Sequence, residues 1–276
     1  MMDVVSVLLV IVIGLAAGAV VNALSDDLPR RVRPQLPHYP DGEPRELSAW
    51  LGITAFLTGQ RRSSGGAALS WRHPITEVAL VLLMLLTVSV VRQRADYSDL
   101  QLVFWLFHVT ALVLVTVIDI EHKLILFVVI NPFVVVAIFD ALLTQKNAPP
   151  EIVEALIGGA VGYGVFFLLY QGGFLFTRIM SKRRGREIKE VAFGYGDVML
   201  AGVVGLLIGW RLFLFSMYIT IILGALGALL FILSRRLLGT RYSAFTALPY
   251  GPYIVAGALI MILFPTQVGG LLLGAR

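Results

Sequence analysis

The chain has no cysteine at any of its 276 positions. That excludes disulfides, thiolate metal sites and a cysteine nucleophile, and it leaves the compartment open. Charge is also scarce. Only 14% of residues are Asp, Glu, Lys or Arg, where a soluble domain carries about 25%. The four histidines (His38, His73, His108 and His122) are scattered, with no H-E-x-x-H spacing and no Ser-His arrangement. No basic-aromatic platform accompanies the formal charge of +5. Nucleic acid is therefore not expected as a partner, and the basic residues read as topology signals and contacts to anionic membrane lipids.

Apolar sequence is abundant. Hydrophobic residues make up 58% of the chain, and several runs reach the roughly 20 residues that a helix needs to cross a hydrocarbon core. The runs are continuous rather than alternating, which indicates helices and not a barrel. Eight candidate spans follow: 4–24, 75–91, 100–118, 124–143, 152–177, 198–209, 211–234 and 250–272. The sixth is short, and the sixth and seventh could instead form one bent segment. The first run lacks a basic leading region and a small-residue cleavage site, so it reads as a retained span and not a signal peptide. The expected fold is an all-α, multi-pass helical bundle with about eight transmembrane helices, forming a single membrane domain over 1–276.

Of the 22 basic residues, 17 fall on one side of this arrangement and five on the other. The positive-inside rule then puts both termini outside and segments 25–74, 178–197 and the turn after the seventh span in the cytoplasm. Segment 25–74 is the one sizeable soluble region. It is rich in proline and too small to bury a large independent core, so it is expected to be a lobe docked on the bundle, with Glu46–Leu57 as a short helix lying against the membrane.

Ionisable groups inside or at the edges of spans are costly and therefore functional candidates. They are Glu77, His108, Asp119, Asp140, Glu154 and Asp197. Asp119 ends the third run in Asp119-Ile120-Glu121-His122-Lys123, and Asp197 follows Gly194-Tyr195-Gly196 at the start of an apolar helix. Each aspartate alone could be a helix cap. Together they say more, because both fall at the cytoplasmic face where a loop meets an apolar helix. Two carboxylates sharing a poorly solvated site do not both ionise easily; one keeps its proton and the other acts as base. Such a pair can activate water for attack on a peptide carbonyl. The two glycines beside Asp197 permit a tight turn and close approach of another chain. Glu77 reads more simply as a cap or an arginine partner, His108 as an interior residue, and Asp140 and Glu154 as interfacial. The glycines at 158, 159, 162 and 164 read as close helix packing.

With these residues in view, the chain resembles the type IV prepilin leader peptidases, membrane aspartic proteases of the GxGD type. The likeness is carried by Gly18-Ala19-Val20-Val21-Asn22 with Leu28-Pro29, by Arg72-His73-Pro74-Ile75-Thr76-Glu77, by the Asp119 and Gly194-Tyr195-Gly196-Asp197 motifs, and by Leu248-Pro249-Tyr250-Gly251-Pro252. The resemblance implies cleavage of short basic leader peptides from prepilin-like precursors at the cytoplasmic face of the inner membrane, with Asp119 and Asp197 catalytic and Gly194 and Gly196 shaping the turn. No cofactor is implied for proteolysis. Many members also methylate the new N-terminus with S-adenosylmethionine, and that second activity stays open here. The cysteine-bound zinc of many members is absent, and no metal is expected. Leu126 and Phe127 stand where the family usually has proline and then aspartate or asparagine, and Met199 stands in place of a lysine. Because the basic loops would repel a basic leader, Glu121, Glu187 and Glu190 are the candidate leader contacts. The rival readings are an intramembrane protease of the presenilin type, a proton-coupled transporter, and an inactive scaffold.

Overall fold

The computed structural model describes residues 3–94, 98–144, 150–184, 194–237 and 249–273. Among these residues the chain is helical, with no strands beyond two isolated bridges. Six helices are long and apolar enough to cross a membrane. The chain divides into two compact units, residues 1–126 and 127–276.

The first unit holds α1 (Val4–Asp27), the short α2 (Gly52–Leu57), α3 (Arg72–Val91) and α4 (Asp99–His122). Asp3 caps α1 by accepting from the Ser6 amide, and Ser98 caps α4 by accepting from the Gln101 amide. Val10, Gly14, Gly18, Val21, Asn22 and Ser25 form the buried seam of α1, spaced three or four apart as a helix face requires. A Cβ built on Gly18 would lie 2.7 Å from the Glu77 Cα, and one on Gly14 would lie 2.9 Å from the Val81 Cα. Glycine at these two positions is what lets α1 and α3 pack backbone to backbone.

The segment between α1 and α3 is built on two copies of one turn. In the first, Tyr39 donates to the Glu43 carbonyl, Gly42 to the Tyr39 carbonyl and Arg45 to the Pro37 carbonyl. In the second, the same pattern joins Ser63 to Ala67, Gly66 to Ser63 and Leu69 to Arg61. Gly42 and Gly66 occupy matching positions with φ of 89° and 87°, a conformation that glycine adopts without strain. The two turns clasp each other. The Ser63 hydroxyl donates to Asp41 at 2.5 Å, while the Ser64 amide and hydroxyl donate to Glu43 at 2.9 and 2.6 Å. Tyr39, Ala49, Ala55 and Leu69 form a small core beneath them.

The second unit holds α5 (Phe127–Thr144), α6 (Ile152–Arg184), α7 (Tyr195–Leu237), α8 (Gly251–Leu263) and α9 (Pro265–Leu273). Helix α7 is broken at Gly209, where φ 73° and ψ 165° are non-helical and open essentially to glycine alone. The chain doubles back there. A Cβ on Gly162 of α6 would meet both the Ala201 carbonyl oxygen, at 2.3 Å, and the Phe213 ring, at 3.2 Å. In a straight helix residues 201 and 213 would stand about 18 Å apart. The open question over the sixth and seventh runs is thereby answered: one helical stretch, folded at Gly209 into two arms. Counting those arms and the shorter apolar α8, the described residues provide eight apolar helical segments, in line with the sequence expectation.

Gly158, Gly159 and Gly162 of α6 pack closely as expected, and Gly164 does not. A Cβ on Gly158 would fall 2.1 Å from the Gly205 carbonyl oxygen, and one on Gly205 would fall 2.0 Å from that of Gly158. Nothing lies within 4 Å of a Cβ on Gly164. Gly205→Val should therefore separate the helices, at a cost at the upper end of the roughly 1–3 kcal/mol typical of overpacking or beyond it, whereas Gly164→Ala should be near neutral. Thermal unfolding in detergent, followed by size-exclusion profile, checks both. A second prediction concerns the turns. The Ser63 hydroxyl holds the Asp41 carboxyl below its usual range. A carboxyl depressed by folding contributes stability that is full above its unfolded value and is lost as pH falls through its folded value. Ser63→Ala should raise the Asp41 titration and move acid loosening of the turns to higher pH, as read by carbon NMR of the labelled carboxyl.

Candidate active site

Asp119 lies in the last turn of α4 and is 5% exposed. The helix stops because Lys123 adopts the left-handed conformation, φ 54°, and its amide turns back to the Asp119 carbonyl at 2.9 Å. This is an αL C-terminal motif built without glycine. Asp119 is therefore at the C-terminal end of its helix and is not an N-cap. Leu126 is half-buried and Phe127 exposed.

Asp197 lies in the first turn of α7 and is 8% exposed. Its Oδ2 accepts from the Gly194 amide at 2.8 Å, and its own amide donates to the Gly194 carbonyl at 3.1 Å. The pattern is that of a capping box, with the aspartate reaching back to the residue before the helix. The cap reading of Asp197 is thus correct in part, and it fixes the side chain's direction. A Cβ on Gly194 would meet Asp197 Oδ2 at an ordinary 3.5 Å, and Gly196 sits within the first helical turn.

Around Asp197 the second unit assembles groups that the sequence reading passed over. The Tyr195 hydroxyl hydrogen-bonds that of Tyr163 at 2.9 Å. The Tyr195 ring lies 5.8 Å from Tyr170 and 6.1 Å from Phe127. Phe127, one of the departures from the family pattern, is therefore packed against the aromatic residue of the glycine-aspartate motif. The Tyr250 phenol is close enough to Asp197 to feel its charge, and the ring covers Gly224 on the returning arm of α7. Tyr250 lies in Pro249-Tyr250-Gly251-Pro252, one of the motifs that carry the family resemblance.

In the first unit, Glu77 is fully buried. It caps α2 rather than its own helix: Oε1 accepts from the Gly52 amide at 2.6 Å and Oε2 from the Ile53 amide at 2.9 Å. Asn22 of α1 donates to the same Oε1 at 3.3 Å and to the His73 carbonyl at 3.0 Å. Beside this lies an ionic cluster. Arg72 donates to the Ser25 hydroxyl and to Asp26 Oδ1. Its Nε stands 3.0 Å from Glu121 Oε1, an ion pair with the N–H angled away from the line of centres. His73 Nε2 is 3.3 Å from Asp26 Oδ2. Glu121 Oε2 is 3.9 Å from His122 Nε2. Glu187 and Glu190 lie outside the described residues. Asp119 belongs to the first unit and Asp197 to the second. Among the described residues no cluster of three His, Asp or Glu side chains is arranged to hold a metal.

Comparison with known proteins supplies the context. A model of the type IV leader peptidase family matches residues 106–229, a stretch that contains both aspartates. A prepilin leader peptidase/N-methyltransferase from Pseudomonas aeruginosa is 25% identical over 227 residues, covering 81% of this chain and 70% of that protein. The protein of the same name from Stutzerimonas stutzeri is 22% identical over 223 residues, covering 80% and 67%. The one from Aeromonas salmonicida is 26% identical over 222 residues, covering 80% and 66%. No solved structure gives a significant match. Residues 106–229 thus match the type IV leader peptidase family, in a multi-pass helical chain that is similar to prepilin leader peptidases over about four-fifths of its length.

Proposed function

We propose that this protein is an aspartic endopeptidase that removes the leader from prepilin-like precursors at the cytoplasmic face of the inner membrane, with Asp119 and Asp197 as the catalytic pair. The observation that carries this reading is the placement of each aspartate, buried at a helix end inside the matched domain. One carboxylate takes a proton from water as the oxygen attacks the peptide carbonyl. The protonated partner donates to the carbonyl oxygen, and the proton held by the first then passes to the leaving amine. The two would titrate as a pair.

Gly194 supports Asp197 through its amide, and Gly196 keeps the first turn of α7 free of bulk near the carboxylate. Glu121, Glu187 and Glu190 are proposed as the acidic contacts for a basic leader. Glu121 offers chiefly Oε2, since Oε1 faces Arg72. Segment 25–74 is proposed as a cytoplasmic lobe, and the basic residues around it as contacts for anionic lipid. Methylation of the new N-terminus, named in the relatives, would need S-adenosylmethionine as methyl donor. The polar side chains of the twin turns are engaged with one another.

The test is co-expression with a prepilin-like precursor, with mass spectrometry of the product's N-terminus. The native chain should release the leader. Asp119→Asn and Asp197→Asn should each lower cleavage by at least about a hundredfold, in the range of general acid–base contributions. Undiminished cleavage by either folded variant would remove that aspartate from the mechanism. A product heavier by one methyl group would establish the second activity.

A further inference from the structure

We propose that Arg72 is a positioning residue for Asp119, acting through Glu121. The inference rests on the reading of Asp119 as catalytic. A single guanidinium joins the ends of three helices of the first unit: Ser25 and Asp26 from α1, its own position at the start of α3, and Glu121 from the last turn of α4. Arginine suits this role because its planar fork carries five N–H groups fixed in direction, whereas a lysine is one compact charge on a flexible stem. The groups are partly shielded from water, with the Arg72 side chain 12% exposed, Asp26 20% and Glu121, the most open of the three, 33%. The attraction is therefore screened less than that of a surface pair. Arg45 adds a positive charge that acts on Asp26, so the cluster holds two carboxylates without crowding negative charge.

The end of α4 needs such a hold. Its terminating residue, Lys123, sits in a left-handed conformation that is strained for a non-glycine residue. One backbone bond, from Lys123 to the Asp119 carbonyl, closes that turn, and helix ends fray readily. Glu121 and Asp119 are two residues apart, so on a helix they project to roughly opposite sides. Anchoring Glu121 to Arg72 therefore sets the rotation of the last turn of α4, which carries Asp119.

The experiment combines kinetics with local hydrogen exchange on the full-length protein in detergent. Arg72→Gln should lower kcat between about ten- and a hundredfold, the scale expected of a small misplacement, with KM changed by less than about threefold. Glu121→Gln, which leaves the Arg72 contacts to Ser25 and Asp26 in place and so preserves folding, should lower kcat in the same direction. The double variant should be no worse than Arg72→Gln alone, because residues acting as a unit are not additive. Arg72→Lys should recover part of the loss. In all three single variants the Lys123 amide should exchange faster, while amides in the middle of α1 keep their native rate. Multiplicative losses in the double variant, a KM effect without a kcat effect, or unchanged exchange at Lys123 would each overturn the proposal. If the native chain processed no precursor, the functional reading would fall, and the exchange at Lys123 would still decide whether Arg72 holds the end of α4.

Discussion

Ionisable and polar groups set among apolar helices are expensive unless something in the chain pairs with them, and this protein meets that requirement at helix ends. Glu77 is fully buried yet accepts from two backbone amides and from Asn22. Its negative charge sits at the N-terminus of α2, where the exposed amides of a helix favour an anion. Asp197 is held the same way by the Gly194 amide. Arg72 satisfies two carboxylates and a hydroxyl at once. These arrangements tie the segment between α1 and α3 to both of those helices, and they tie α4 to them as well.

Close approach of backbones is the second determinant. Without a hydrophobic drive between helices in lipid, small residues allow the contact that holds them together. The mutual contact of Gly158 and Gly205 fixes the first arm of α7 against α6, and with it the height at which Asp197 sits. Gly209 then turns the chain back, and the returning arm carries Gly224 under Tyr250, beside Asp197. The surroundings of the glycine-aspartate motif thus come from residues spread along the chain from Phe127 to Tyr250.

The departures from the family pattern acquire a physical setting. Phe127 joins Tyr163, Tyr170 and Tyr195 in an aromatic group next to the glycine-aspartate motif. Met199 is half-buried on the first arm of α7. Neither occupies a position that takes a carboxylate away from its helix end. The twin turns around Asp41 and Ser63 are joined by hydroxyl–carboxylate hydrogen bonds.

The sequence by itself determined the helical, membrane-spanning class, the order of the segments, the glycine packing of α6 and the two aspartates worth naming. Those features are written in apolar run length, in local spacing and in the expense of a charge in an apolar run, which are all properties of neighbouring residues. Only the tertiary structure decided that Glu77 caps α2 and not α3, that Arg72 reaches Glu121, that Tyr250 stands by Asp197, and that Gly209 folds one apolar stretch into two arms. Each of these depends on which groups meet across tens of residues of chain. A side chain's partner is chosen by the packing of whole helices, and no local pattern around Glu77 or Arg72 encodes it.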